Sequence, residues 1–195
     1  MPQRPAPGEL PRLELGDREA WTAWLEHNHG DAAGVWLLLA KQGAPRATVT
    51  QLEAIEVALC FGWIDGQLGR VDEHFYRVRF TPRRAGSAWS RINRDRALAL
   101  IEAGLMRAAG LAEVERARAD GRWEAAYEPQ SKIAVPDDFR AALDANPAAA
   151  TFFETLTGAR RYAFLYRIGA VRRPQTRAAK ITQYVELLAQ GRTLN

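Results

Sequence analysis

Residues 58–93 read ALCFGWIDGQLGRVDEHFYRVRFTPRRAGSAWSRIN, and the fold turns on how this stretch is divided. An apolar helix runs into Gly62, a residue suited to the positive φ that closes a helix. Two strand-like runs follow, Trp63 to Arg70 and Phe75 to Phe80, around a polar turn at Val71 to His74. A turn centred on Asp72 pairs Ile64 with Phe80 and Leu68 with Tyr76, and puts Val78 on the same apolar face. The other face then carries Asp65 opposite Arg79 and Gln67 opposite Arg77, within cross-strand reach. After the loop TPRRAG, Ser87 is placed to cap a new helix that carries Trp89 and Ile92.

Working toward the N-terminus, Thr50 and Glu53 form a capping box that opens the helix before Gly62, with Leu52, Ile55 and Leu59 on one face. Val35 to Lys41 has the length and continuous apolarity of a buried strand. Asp17 caps a helix on which Trp21, Trp24 and Leu25 recur, ending near Gly30. Leu13 and Leu15 mark a short first strand, and the Pro-rich residues 1–11 read as a mobile tail.

Toward the C-terminus every pattern is helical. One helix runs to about Ala103, and a second carries Leu111 and Val114 and ends near Gly121. Trp123 and Tyr127 belong to a connector. Pro136 opens a short helix, and Asn146 with Pro147 supplies a cap and first-turn pair for another. The last two span roughly 159–168 and 174–190. The expected class is α+β: an α/β region at 12–85 holding the hairpin, a helical connector at 86–134, and a helical module at 135–191.

Composition bounds the partners. The 195 residues are 47% hydrophobic and 26% charged, ordinary for a globular protein. A net charge of +4 and a pI near 9.6 permit anionic partners without demanding them. A single cysteine excludes an intrachain disulfide and points to a reducing cytosol. The N-terminus lacks the apolar core of a secretion signal, and Val35 to Ala40 is far too short to cross a bilayer. The expectation is a cytoplasmic protein without membrane insertion.

The strings CFGWIDG and FTPRRAGSAWSRIN resemble the YdeI/OmpD-associated family. VPDDFRAALDANPAAATFFETL, RRYAFLYRI and RRPQTRAAKITQYVELLAQG are similar to its helical, bacteriocin-protection module. RRYAFLYRIGAV is more apolar than that module leads one to expect. The resemblance spans about residues 12–191 and implies a bacterial protein tied to protection against bacteriocins or envelope stress.

Three clusters carry candidate chemistry. Trp63, Asp65, Gln67, Arg77 and Arg79 form an aromatic and charged hairpin face that suits a small ligand. Beside it, Arg83, Arg84, Ser87 and Trp89 offer guanidinium forks and a helix start, an anion site for phosphate or carboxylate. The alternative use of this region is an enzyme with Asp65 as general base and Arg79 or Arg83 stabilising charge. The third cluster is Arg160, Arg161, Arg167, Arg172, Arg173, Arg177 and Lys180, interleaved with Tyr162 and Tyr166, an alternative nucleic-acid surface. Cys60 reads as a packed thiol, because Glu53 and Glu56 share its side of the helix and raise a thiol pKa. His27, His29 and His74 do not make a metal box, and no metal is expected. Nucleotide-loop, hydrolase and dinucleotide motifs are absent from the sequence, so no cofactor is predicted.

Overall fold

The computed structural model describes residues 10–194, so the predicted N-terminal tail lies almost wholly outside the described residues. The fold is α+β. Its elements are β1 (Arg12–Glu14), α1 (Arg18–Asn28), β2 (Val35–Ala40), α2 (Gln51–Cys60), β3 (Trp63–Arg70), β4 (Phe75–Pro82), α3 (Arg91–Glu102), α4 (Ala108–Ala119), α5 (Asp137–Asp144), α6 (Pro147–Thr155), α7 (Gly158–Gly169) and α8 (Pro174–Ala189). They divide into two compact units. One holds the residues up to Trp89 with Asn93–Ala125, and the other holds Ser90–Ile92 with the chain from Ala126 onward.

In the first unit the four strands lie in the order β1-β2-β4-β3. β1 runs parallel to β2, and the other two pairings are antiparallel. Local signals start the helices: the Asp17 carboxylate accepts from Ala20 N–H at 2.8 Å, and Thr50 and Glu53 close their capping box. Val35, Leu37, Leu39, Val78 and Phe80 share one buried face of the sheet. Trp21 from α1 lies 5.6 Å from Phe80, stacks on Trp24 at 5.4 Å and meets Trp63 edge-on at 6.5 Å. Its indole N–H donates to Ala54 O in α2 at 3.1 Å, which ties both helices to the strands. Burying each such ring contributes about 2–3 kcal/mol, so this cluster is the principal anchor of the sheet.

The α2 stripe differs from the expected one. Leu52 is 51% exposed, whereas Ala54, Ile55, Val57, Ala58, Leu59 and Cys60 are buried. The helix packs against β3 on one side and α4 on another, which shifts and widens its buried face beyond a single stripe. At the α4 crossing a Cβ on Gly110 would lie 2.4 Å from Cys60 O, so only glycine allows this approach.

The predicted hairpin register is overturned. Asp65 pairs with Phe80 and Ile64 with Thr81, and beyond a bulge at residues 66–67 Leu68 pairs with Val78. Asp65 therefore shares the helix-covered face with Phe80, and Arg79, one residue along, points to the opposite face. Two causes combine: the turn centres on Glu73 rather than Asp72, which displaces every pair beside it but keeps the faces, and the bulge inserts one extra residue into β3, which puts Asp65 and Arg79 on opposite faces. Leu68, expected on the covered apolar face, is 64% exposed on the edge strand.

The second unit is built on α5 to α8. Phe139, Leu143, Phe153, Phe164, Leu165, Ile168, Ile181, Tyr184 and Leu188 form its core. Phe164, Leu165 and Ile168 explain the unexpectedly apolar RRYAFLYRIGAV: its extra side chains are core, not surface. Asn146 caps α6 by accepting from Ala149 N–H at 3.1 Å, with Pro147 following it. No described helix is long and apolar enough to cross a membrane.

Candidate functional site

The sheet has two unlike faces. α1 and α2 cover one. On the other, β4 presents Arg77 and Arg79, β2 presents Trp36 and Leu38, and β3 presents Ile64. The loop after β4 returns along its end and adds Arg84 and Ser87. Together Ile64, Gly66, Gln67, Arg79, Thr81, Pro82, Arg84 and Ser87 line a cleft of about 190 Å³. The lining holds two guanidinium groups and no carboxylate. Arg79 has its Nε buried without a hydrogen-bond partner, and it makes no ion pair among the described residues.

This cleft takes residues from both clusters expected to bind an anion, but not all of them. Gln67, Arg79, Arg84 and Ser87 come together there. Trp63 does not, because it is buried under α1, its indole donating to His29 O at 3.1 Å. Asp65 is on the covered face, so its expected partnership with Arg79 is broken. Arg77 lines a separate cleft. Arg83 is only 5% exposed. Its guanidinium lies 3.7 Å from the Trp89 ring centroid and donates to Ala88 O at 3.3 Å. Trp89 is itself buried against Trp123, with centroids 4.9 Å apart. Arg83 and Trp89 thus hold the loop in place, and neither lines the cleft.

Ser87 does not cap a helix, since α3 begins at Arg91. Its hydroxyl instead accepts from Arg84 N–H at 2.9 Å, while its own N–H donates to Arg84 O at 2.9 Å. The expected helix dipole is therefore missing from the site. What remains is a closed turn that fixes Arg84 at the cleft edge, so the charge there comes from side chains alone.

Thr81 and Pro82 belong to the TPRRAG loop already singled out, whereas Ile64 was expected on the apolar face and Gly66 was not named. Gly66 carried a usable signal, because an isolated glycine inside a strand marks a bulge. The bulge is what turns Gln67 into the cleft's edge.

The remaining candidates resolve simply. Cys60 is buried, and burial is the main influence that pushes its thiol upward. Arg18 and Arg107 oppose this rise, and Glu56 adds to it. His27 and His29 each bond a carbonyl one turn earlier, those of Ala23 and Leu25. The C-terminal basic residues divide into engaged and exposed ones. Arg177 pairs with Asp138 of α5 at 2.5 Å and donates to Ile168 O at 2.7 Å. Arg161 sits 4.3 Å over the Phe153 ring, and Lys180 lies 5.8 Å from the Tyr184 ring. Arg160, Arg172 and Arg173 are exposed. Tyr162 is half-buried beside Tyr127 and Tyr166, and desolvation first, then these two neighbours, push its phenol up to about 12. It stays a neutral donor, bonded to Glu128 O at 3.3 Å.

Comparison with known families places both units. Residues 13–113 match the model of a domain of unknown function, DUF8412. Residues 132–191 match the family described as bacteriocin-protection, YdeI or OmpD-associated. The chain belongs to the first of these families, and its helical residues 132–191 carry the match to the second. The strings CFGWIDG and TPRRAGSAW fall inside the first match, so the bacteriocin-protection description attaches to the last four helices alone. The arginine cleft lies within the DUF8412 segment. No curated protein and no solved structure matches the chain.

Proposed function

We propose that this protein works by binding, with a small anion such as phosphate or a carboxylate held in the cleft of Gln67, Arg79, Arg84 and Ser87. The observation that carries the reading is a cleft with two arginines and no acid in its lining. Like charges at one site repel, and a buried guanidinium nitrogen without a partner is costly, so an anion relieves both. Gln67 and Ser87 add neutral donors that suit an oxyanion. In a chain whose second unit belongs to a bacteriocin-protection family, such binding serves protection against envelope attack rather than turnover of a substrate.

Isothermal titration with inorganic phosphate and with acetate, at low salt, tests the site. The expected result is binding that weakens about tenfold or more for each guanidinium removed, in Arg79→Gln and Arg84→Ala. Both variants should keep the parent circular dichroism spectrum, since neither side chain is a core group. An absence of heat with either anion, or undiminished affinity in the double variant, would remove the reading.

A further inference from the structure

The helix-free face holds a second cleft, of about 210 Å³, lined by Trp36, Leu38, Val71 and Arg77 together with β1 residues. In the β2–β4 ladder Trp36 lies beside Arg79 and Leu38 beside Arg77. Arg77 and Arg79 stand two positions apart on one side of β4, roughly 6.6 Å between backbones at the usual strand rise. The Arg77 guanidinium carbon lies over the Trp36 ring, 4.4 Å from its centroid. Its Nε, like that of Arg79, is buried without a hydrogen-bond partner, and neither arginine has an ion-pair partner among the described residues. The carboxylate at this cleft, Glu14, is already held by Arg46, 3.0 Å from its Nη2. The Arg46 hydrogen bond is the main influence that lowers the Glu14 carboxyl below its ordinary range.

The two clefts differ in a complementary way. One is cationic and polar; the other has an apolar floor with a guanidinium set over an indole. Small-molecule sites usually measure about 300–1,000 Å³. Neither cleft reaches that size alone, and together they enter the range.

We propose that they are two subsites for one ligand: a phosphate held by Arg79 and Arg84, joined to a planar aromatic body stacked on Arg77 and Trp36. The chemical class is an aromatic phosphate of nucleoside-monophosphate size. This rests on the anion reading of the first cleft and adds the body attached to the anion. Indole rings and guanidinium groups both stack nucleobases, and Trp36 and Arg77 bring the two together here. Leu38 and Val71 exclude water from the ring edge.

Titrating the full chain with adenosine monophosphate, inorganic phosphate, adenosine and hexyl phosphate tests the proposal. Adenosine monophosphate should bind on the order of tenfold tighter than phosphate, the usual contribution of one base stack. Hexyl phosphate, with no ring, should show less of that gain. Trp36→Leu and, separately, Arg77→Ala should bring adenosine monophosphate down to the affinity of phosphate while leaving phosphate binding intact. Trp36→Phe should keep most of the gain, which separates lost stacking from lost folding. The proposal is overturned if adenosine monophosphate binds no tighter than phosphate, if hexyl phosphate equals it, or if both variants leave its affinity unchanged. In those three outcomes phosphate still binds and the anion reading stands. Failure of phosphate itself to bind brings down both.

Discussion

Two regions of this chain look alike in sequence and behave differently in the fold. Arg77, Arg79, Arg83 and Arg84 crowd one strand and its loop, and Arg160 to Lys180 supply a longer basic run. The second is the more basic stretch, yet much of its charge is committed. Arg177 is held by Asp138 and a helix carbonyl, and Arg161 and Lys180 lie over aromatic rings. In the first region Arg83 is consumed by Trp89, while Arg79 and Arg84 line a cleft with no acid in it. The difference teaches that an anion site is marked by arginines the fold leaves uncommitted, not by how many arginines the sequence contains.

The sharpest way to break this division is to remove the committed arginine with the most at stake. Arg83→Ala deletes a long side chain that is 5% exposed and strips the cation from the Trp89 face. Large-to-small changes at buried sites cost about 2–4 kcal/mol, and the whole loop from Pro82 to Trp89 loses its support. Urea denaturation should show an unfolding free energy lower by that amount. A variant as stable as the parent would mean that Arg83 belongs with the uncommitted arginines after all.

A smaller effect is expected at Arg177. Its hydrogen bond is the main influence that holds the Asp138 carboxyl below the ordinary aspartate value of 3.8. Because the folded pKa lies below the unfolded one, the pair's contribution is fully present above the ordinary value. It is lost as pH falls through the lowered folded value. Asp138 is 47% exposed on its side chain, so solvent screening limits the contribution to about 1 kcal/mol or less. Asp138→Asn should flatten the acid limb of a stability-versus-pH curve, and an unchanged limb would show that the pair contributes nothing.

How much of this was legible follows from how local each signal is. Asp17, the Thr50–Glu53 box and the Asn146–Pro147 pair each act within one helical turn, and each sits at the helix start that the spacing predicts. The hairpin strands were also readable, but their register was not. Alternation fixes which residues share a face only while the pairing stays regular, and the bulge at residues 66–67 breaks that rule after Asp65. Ser87 failed as a cap because its hydroxyl has a nearer donor in Arg84 N–H. Asp138 lies 39 residues from Arg177, a distance no spacing rule spans. The cleft was therefore half visible: its arginines stood out in the sequence, and the absence of acids beside them emerged only from folding.

The smallest stability effect, and the most telling, belongs to Arg79. It carries its charge beside Arg77 on the same strand face without an ion pair, so Arg79→Gln removes repulsion and little packing. In buffer without phosphate the unfolding free energy should move by no more than a few tenths of a kcal/mol, in either direction. Added phosphate should then separate the proteins. At ten times its Kd a ligand bound only by the folded state stabilises by about 1.4 kcal/mol. The parent should show that rise and Arg79→Gln should not, whereas Arg177→Ala, at a committed arginine, should show it in full despite its lower baseline. If phosphate stabilised Arg79→Gln and failed to stabilise Arg177→Ala, the comparison would be inverted and the anion site would belong to the C-terminal helices.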